Sequence, residues 1–171
     1  ATCTTGSCAI QGCNSGFSRC DGNDSHGCES SHATVTGTCA SAVDLGSFYG
    51  DTACGFFCPS NTSWAQCATR NGSNSAWFRA RVVESSTTCS ATIEHQIRLI
   101  VPPGVDYDLH VYRPCGTLVG SSTLGAGQTE TVTVSQNDTL GNDSFDYWIE
   151  VRYFAGASCS NWTLQLFGHN C

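Results

Sequence analysis

The stretch Thr92-Ile-Glu-His-Gln-Ile-Arg-Leu-Ile-Val101 decides the fold. Successive side chains of an extended chain point to opposite faces, so Ile93, His95, Ile97, Leu99 and Val101 share one side while Glu94, Gln96 and Arg98 share the other. A strand with one dry face needs a second layer to cover it. The alternation recurs outward along the chain: Leu109 and Val111 against Asp108, His110 and Tyr112; Val132 and Val134 against Thr131 and Thr133; Ile149 and Val151 against Glu150 and Arg152. Strands are expected at 42–49, 76–84, 92–101, 108–113, 130–134, 147–154 and 162–167, separated by Gly, Ser, Asn and Asp clusters. No stretch sustains a 3.6-residue period. The expected class is all-β: an antiparallel, jelly-roll-like β-sandwich over 33–171, preceded by an N-terminal, disulfide-rich, coil-dominated arm over 1–32. The arm has only Ile10 and Phe17 as large apolar residues, so bridges and turns at Asn14-Ser15-Gly16 and Asp21-Gly22-Asn23-Asp24 must order it.

Composition sets the compartment. The chain has 171 residues, enough for one domain with a small appendage. Its 40% hydrophobic share includes 13 cysteines, and removing them leaves about 32%. A core that thin is expected to lean on disulfides, each worth about 2–4 kcal/mol, which persist only in an oxidising environment. Thirteen is odd, so at least one thiol lacks a partner within the chain; it is buried, separated from a trimmed partner, or bonded to another copy. Cys54-Gly-Phe-Phe-Cys58 followed by Cys67 has the look of metal ligands, but no histidine follows at zinc-finger spacing and extracellular thiolates are mostly oxidised. All 7 basic residues are arginine, against 14 acidic ones, giving a net charge of -7. A phosphate backbone would be repelled, so nucleic acid is excluded as a partner. Methionine is absent even at position 1, implying a leader removed before Ala1, and no apolar run approaches the ~20 residues of a membrane helix.

Val101-Pro-Pro-Gly-Val-Asp-Tyr-Asp-Leu-His-Val-Tyr112, then Cys115-Gly-Thr-Leu-Val-Gly-Ser-Ser122, Tyr147-Trp-Ile-Glu-Val-Arg152 and Asn161-Trp-Thr-Leu164, occur in an order that resembles the bacterial pre-peptidase C-terminal domain family across 42–167. That resemblance implies a jelly-roll-like sandwich without catalytic activity, appended to secreted peptidases and other exported enzymes. The chain departs from the family in carrying many more cysteines. Cys13-Asn-Ser-Gly-Phe-Ser-Arg-Cys20 through Cys28-Glu29 looks like the small Cys-rich repeats of secreted and surface proteins from myxobacteria-like organisms.

Among candidate sites, Asp21, Asn23, Ser25 and Glu29 alternate within a tight loop, where their oxygens can converge on a hard cation such as calcium or, equally, make side-chain turns between two bridges. The loop 137–146, with Asp138, Asp143 and Asp146, and the pair Asp106/Asp108 offer similar oxygens or stand as solvated acids. The histidines His26, His32, His95, His110 and His169 are scattered, and neither a Gly-x-Ser-x-Gly elbow nor a His-Glu-x-x-His pair is present. His95, on a dry face, reads as a structural imidazole. The aromatics Phe56, Phe57, Trp64, Trp77, Trp148 and Phe154 either pack inside a thin two-sheet core or stand exposed to a sugar or a neighbouring subunit. For exposed anchors the leading candidates are Trp148 and Phe154, which share parity with Glu150 and Arg152. Asn-x-Ser/Thr sequons stand at Asn23, Asn61, Asn71, Asn137, Asn142 and Asn161.

The sequence therefore points to a secreted, non-catalytic structural or adhesive module at the cell surface, whose partner is a second copy of itself in an assembly or fibre. The other reading is a carbohydrate- or protein-binding accessory domain of a secreted hydrolase.

Overall fold

The structure, a computed structural model, describes residues 2–4, 7–21, 23–24, 27–33, 37–51, 63–85, 92–139 and 141–171, with 2–4 and 7–8 described by backbone alone. In the arm, β1 (Thr2–Thr4) pairs with β2 (Ser7–Ala9), placing Cys3 opposite Cys8, and β3 (Phe17–Ser18) pairs with β4 (Ser30–Ser31). A 3-10 turn at Cys39–Ser41 leads into β5 (Val43–Tyr49). There follow β6 (Ala65–Gly72), β7 (Ala76–Val83), β8 (Thr92–Ile100), β9 (Val105–Tyr112), β10 (Leu118–Ser122), β11 (Glu130–Asn137), β12 (Phe145–Gly156) and β13 (Trp162–Gly168). No α-helix occurs among the described residues, and no helix is long and apolar enough to cross a membrane.

Two sheets form the sandwich. One has the order β10-β9-β12-β7-β5 and the other β11-β8-β13-β6. The alternation of the sequence becomes the sandwich directly. Tyr107, Leu109 and Val111 from β9, Tyr147, Ile149 and Val151 from β12, and Phe78, Ala80 and Val82 from β7 meet Ile93, Ile97 and Leu99 from β8, Val132 and Val134 from β11, and Trp162, Leu164 and Leu166 from β13. Each buried Val, Leu, Ile or Phe among them contributes about 1.5–3 kcal/mol by leaving water. One ladder departs from the expected all-antiparallel pairing: β5 runs parallel to β7. The chain leaves β5 for β6 in the facing sheet and returns for β7, so β5 and β7 share a direction.

Two buried histidines link the layers and the arm. His95, buried as its dry-face position leads one to expect, has Nδ1 2.9 Å from the Tyr147 hydroxyl across the sandwich. His32, in the arm, lies 2.8 Å from the Tyr107 hydroxyl, and Ser30 donates its hydroxyl to Ser158 O at 2.5 Å. Covalent links reinforce this docking. Cys13–Cys28 closes the arm on itself, Cys20–Cys159 ties it to the segment before β13, Cys39–Cys115 ties the entry of β5 to the β9–β10 turn, and Cys67–Cys171 fastens the last residue to β6. Such bridging requires an oxidising compartment, which places the chain outside the reducing cytosol. Cys54, Cys58 and Cys89 lie outside the described residues, and so do Ser25, His26, Phe56 and Phe57.

Candidate functional site

The outward face of the five-stranded sheet carries a cluster of charged and aromatic side chains. Strand register sets their order. Across β9, β12 and β7, Tyr112 stands opposite Trp148 and Trp148 opposite Arg79; His110 stands opposite Glu150 and Glu150 opposite Trp77; Asp108 stands opposite Arg152.

A network fixes the middle of this face. Arg152 donates Nε to Glu150 Oε1 at 3.1 Å and Nη2 to Oε2 at 2.6 Å, and Tyr112 donates its hydroxyl to Oε2 at 2.7 Å. Burial, reinforced by the carboxylate it bonds, pushes the Tyr112 phenol up to about 12. The Arg152 guanidinium is held further above its ordinary range by that bond to Glu150. Beside them, burial and then the Arg152 charge push His110 down, so its imidazole stays neutral at pH 7.

Of the expected anchors, Phe154 and Trp148 differ in setting. Between Tyr153 and Ala155 the register of β12 on β9 shifts, and Phe154 is the extra residue of that bulge, 69% exposed. Glycines make this end possible. Gly156 and Gly104 both have positive φ, and a Cβ on Gly156 would stand 2.3 Å from Gly104 O. Trp148 is half-buried between Tyr112 and Arg79. Trp77 stacks on Tyr112 with ring centroids 5.2 Å apart, and Gly37 lies so close to its indole that a Cβ there would be 2.7 Å from Cδ1. The segment after the arm therefore covers Trp77. Trp64 packs against the His169 ring at 4.3 Å.

Phe154 forms one wall of a groove with Leu124, Thr123, Gly125, Asp106 and Asp108. The two aspartates lie two apart on one face of β9, so both carboxylates open into it. Burial raises both, and the Asp106 charge raises Asp108 further. Asp106 Oδ1 is buried and accepts no hydrogen bond. An aromatic face beside two acceptor carboxylates suits a ligand with hydroxyl or ammonium donors. The alternation of Asp106, Asp108 and Phe154 with apolar neighbours was readable in sequence; the Leu124 wall, brought in by the β10–β11 turn, was not.

The arm's acidic loop is tied into its own backbone. Glu29 Oε2 accepts from the amides of Cys20 at 2.7 Å and Asp21 at 3.2 Å, and Asp21 Oδ1 accepts from the Asn23 amide at 2.7 Å. Ser25, the fourth residue of that candidate set, lies outside the described residues. A different set of carboxylates meets at the far end of the sandwich. Glu84, Asp138 and Asp143 bring oxygens within 4.8 Å of one another, an all-oxygen set of the type that holds a hard cation. Asp143, whose carboxyl is lowered by bonds from the Thr139 hydroxyl and amide, also accepts from Gln136 Nε2 at 3.1 Å. Sequence placed Asp138 and Asp143 in one loop but gave no sign that the end of β7 would add Glu84.

No family model matches the chain, and no curated protein matches it. Among solved structures the chain is similar to the pre-peptidase C-terminal domain of collagenase from Bacillus anthracis, at 10% identity and a TM-score of 0.37, with 73% of this chain and 91% of that one covered. The two-sheet architecture rests on this chain's own strand pairing.

Proposed function

We propose that this chain is a non-catalytic extracellular module that works by contact, and that its partner is a second copy meeting it along β10. One observation carries the reading. Residues 115–129, which hold β10 and the turn after it, contain no charged side chain in a chain of net charge -7. Two copies meeting along this stretch would bring no like charges together.

The local structure supports it. β10 is the terminal strand of its sheet, so one backbone edge has no ladder partner among the described residues. Leu118, Val119 and Leu124 are each about half exposed along it, with Phe154 beyond. The strand also lacks the Lys, Glu or Pro with which natural edges block pairing. A rigid, bridged sandwich loses little conformational freedom on docking, which favours such an edge contact.

The accessory-domain reading has its own support in the groove of Phe154, Asp106 and Asp108, whose chemistry suits a polysaccharide. Sedimentation velocity across a concentration series separates the two. Self-association predicts a dimer or larger species at high concentration that Val119→Lys returns to monomer. A monomer throughout, together with saturable binding of a glycan that Phe154→Ala abolishes, would replace the first reading with the second.

A further inference from the structure

The mouth between the two sheets, on the side where β10 and β11 are the terminal strands, holds a cavity of about 160 Å³ lined by Arg113, Val119, Thr133, Val134, Ser135 and Phe145. Arg113 follows β9 directly. Its guanidinium carbon lies over the Phe145 ring, 3.6 Å from the centroid, and Nη2 donates to Gln136 Oε1. These two contacts hold the group in place, but neither neutralises it. No carboxylate among the described residues forms an ion pair with Arg113, whereas Arg19, Arg79, Arg81 and Arg152 each have one.

We propose that this cavity is a carboxylate-binding subsite with Arg113 as its anchor. The planar fork of a guanidinium matches a carboxylate with two parallel hydrogen bonds. Phe145 presents the fork by occupying one face of it, leaving the in-plane N–H groups as the available donors. Thr133 and Ser135 add hydroxyl side chains at the rim. As the outermost strand of its sheet, β11 also has backbone N–H groups without ladder partners along this side. Partial burial lowers the Arg113 guanidinium from its ordinary range without discharging it. In a molecule of net charge -7, a fixed, uncompensated cation of this kind is a specific attractor and not part of a general positive field.

The cavity shares Val119 with the β10 contact, so the test uses dilute protein, in which that contact does not form. The full chain, labelled with ¹⁵N and kept below the concentration at which it associates, is titrated with D-glucuronate, N-acetyl-L-glutamate and neutral D-glucose. Saturable shifts of the Arg113 side-chain and Thr133–Ser135 amide signals with either acid, and none with glucose, support the proposal. Arg113→Gln should weaken binding at least tenfold, and Arg113→Lys should fall between the two. Tighter binding of glucuronate assigns the carboxylate to a sugar acid; tighter binding of N-acetyl-glutamate assigns it to a peptide. Shifts elsewhere only, equal response to glucose, or affinity unchanged in Arg113→Gln would overturn it. Should that variant fail to fold, the location of the wild-type shifts still decides.

Discussion

Tyr147 donates its hydroxyl to His95 Nδ1 at 2.9 Å, while His95 Nε2 lies 3.1 Å from the carbonyl oxygen of Phe48. A carbonyl can only accept, so Nε2 carries the ring proton and Nδ1 is left to accept from the tyrosine. Both nitrogens of a neutral imidazole are thereby satisfied inside the core.

Protonating Nδ1 would break that arrangement. Burial, with a smaller contribution from the nearby His169, lowers His95 to about 4 from an ordinary 6.5. Between those two values the unfolded chain binds a proton that the folded chain does not. Stability is therefore unaffected by this group above 6.5 and falls as the pH drops towards 4, by about 3 kcal/mol in all. Urea unfolding at pH 7 and pH 4.5 should show this loss in the native sequence. His95→Gln keeps a donor and an acceptor without titrating, so it should lose much less over the same interval. Equal losses in both proteins would assign the acid sensitivity to other groups.

The arm's attachment should be chiefly covalent. Cys20–Cys159 joins positions 139 residues apart, whereas His32 and Ser30 add hydrogen bonds to Tyr107 and Ser158 only. Replacing both cysteines with serine should lower stability by about 2–5 kcal/mol and expose the arm to proteolysis before the sandwich. Mass spectrometry of a timed digest reads this. Simultaneous cleavage of arm and sandwich would mean that the bridge adds nothing to docking.

At Gly72 the limit is space. A Cβ there would sit 2.3 Å from Trp162 Cζ2, and Trp162 is buried with its Nε1 donating to Asn74 O at 3.0 Å. Gly72→Ala must displace the indole, break that bond or open the β6–β13 ladder, at a cost of about 1–3 kcal/mol. Gly116→Ala provides a contrast, because no atom lies within 4 Å of its added Cβ and only its positive φ opposes the change. Thermal unfolding of the two variants should rank Gly72→Ala as the more destabilised; the reverse order would place Trp162 in a looser setting than described.

What was legible in the sequence was whatever alternated. β8, β9, β11, β12 and β13 are central or well covered, and their dry faces print as every second residue. β6 and β10 escaped notice because each is a terminal strand with little to bury. Ala65–Gly72 shows no alternation of size, and Leu118–Ser122 places its two large residues side by side. The parallel β5–β7 pair was invisible for a different reason: direction is set by the crossover through the other sheet, not by side-chain period. In the same way Trp148 and Phe154 had the same parity, but only the bulge at Phe154 separates an exposed ring from a half-buried one. Charge clusters such as Glu84 with Asp138 and Asp143, or Arg113 over Phe145, join residues far apart in sequence and carry no periodic trace.

The contact reading is tested most directly by backbone hydrogen exchange of the unreduced chain at dilute and concentrated conditions. If a second copy pairs along the terminal edge, amides within 118–122 should exchange more slowly as concentration rises, while those of central β12 stay unchanged. Exchange across 118–122 that does not vary with concentration, or protection that grows on another face, would contradict the account.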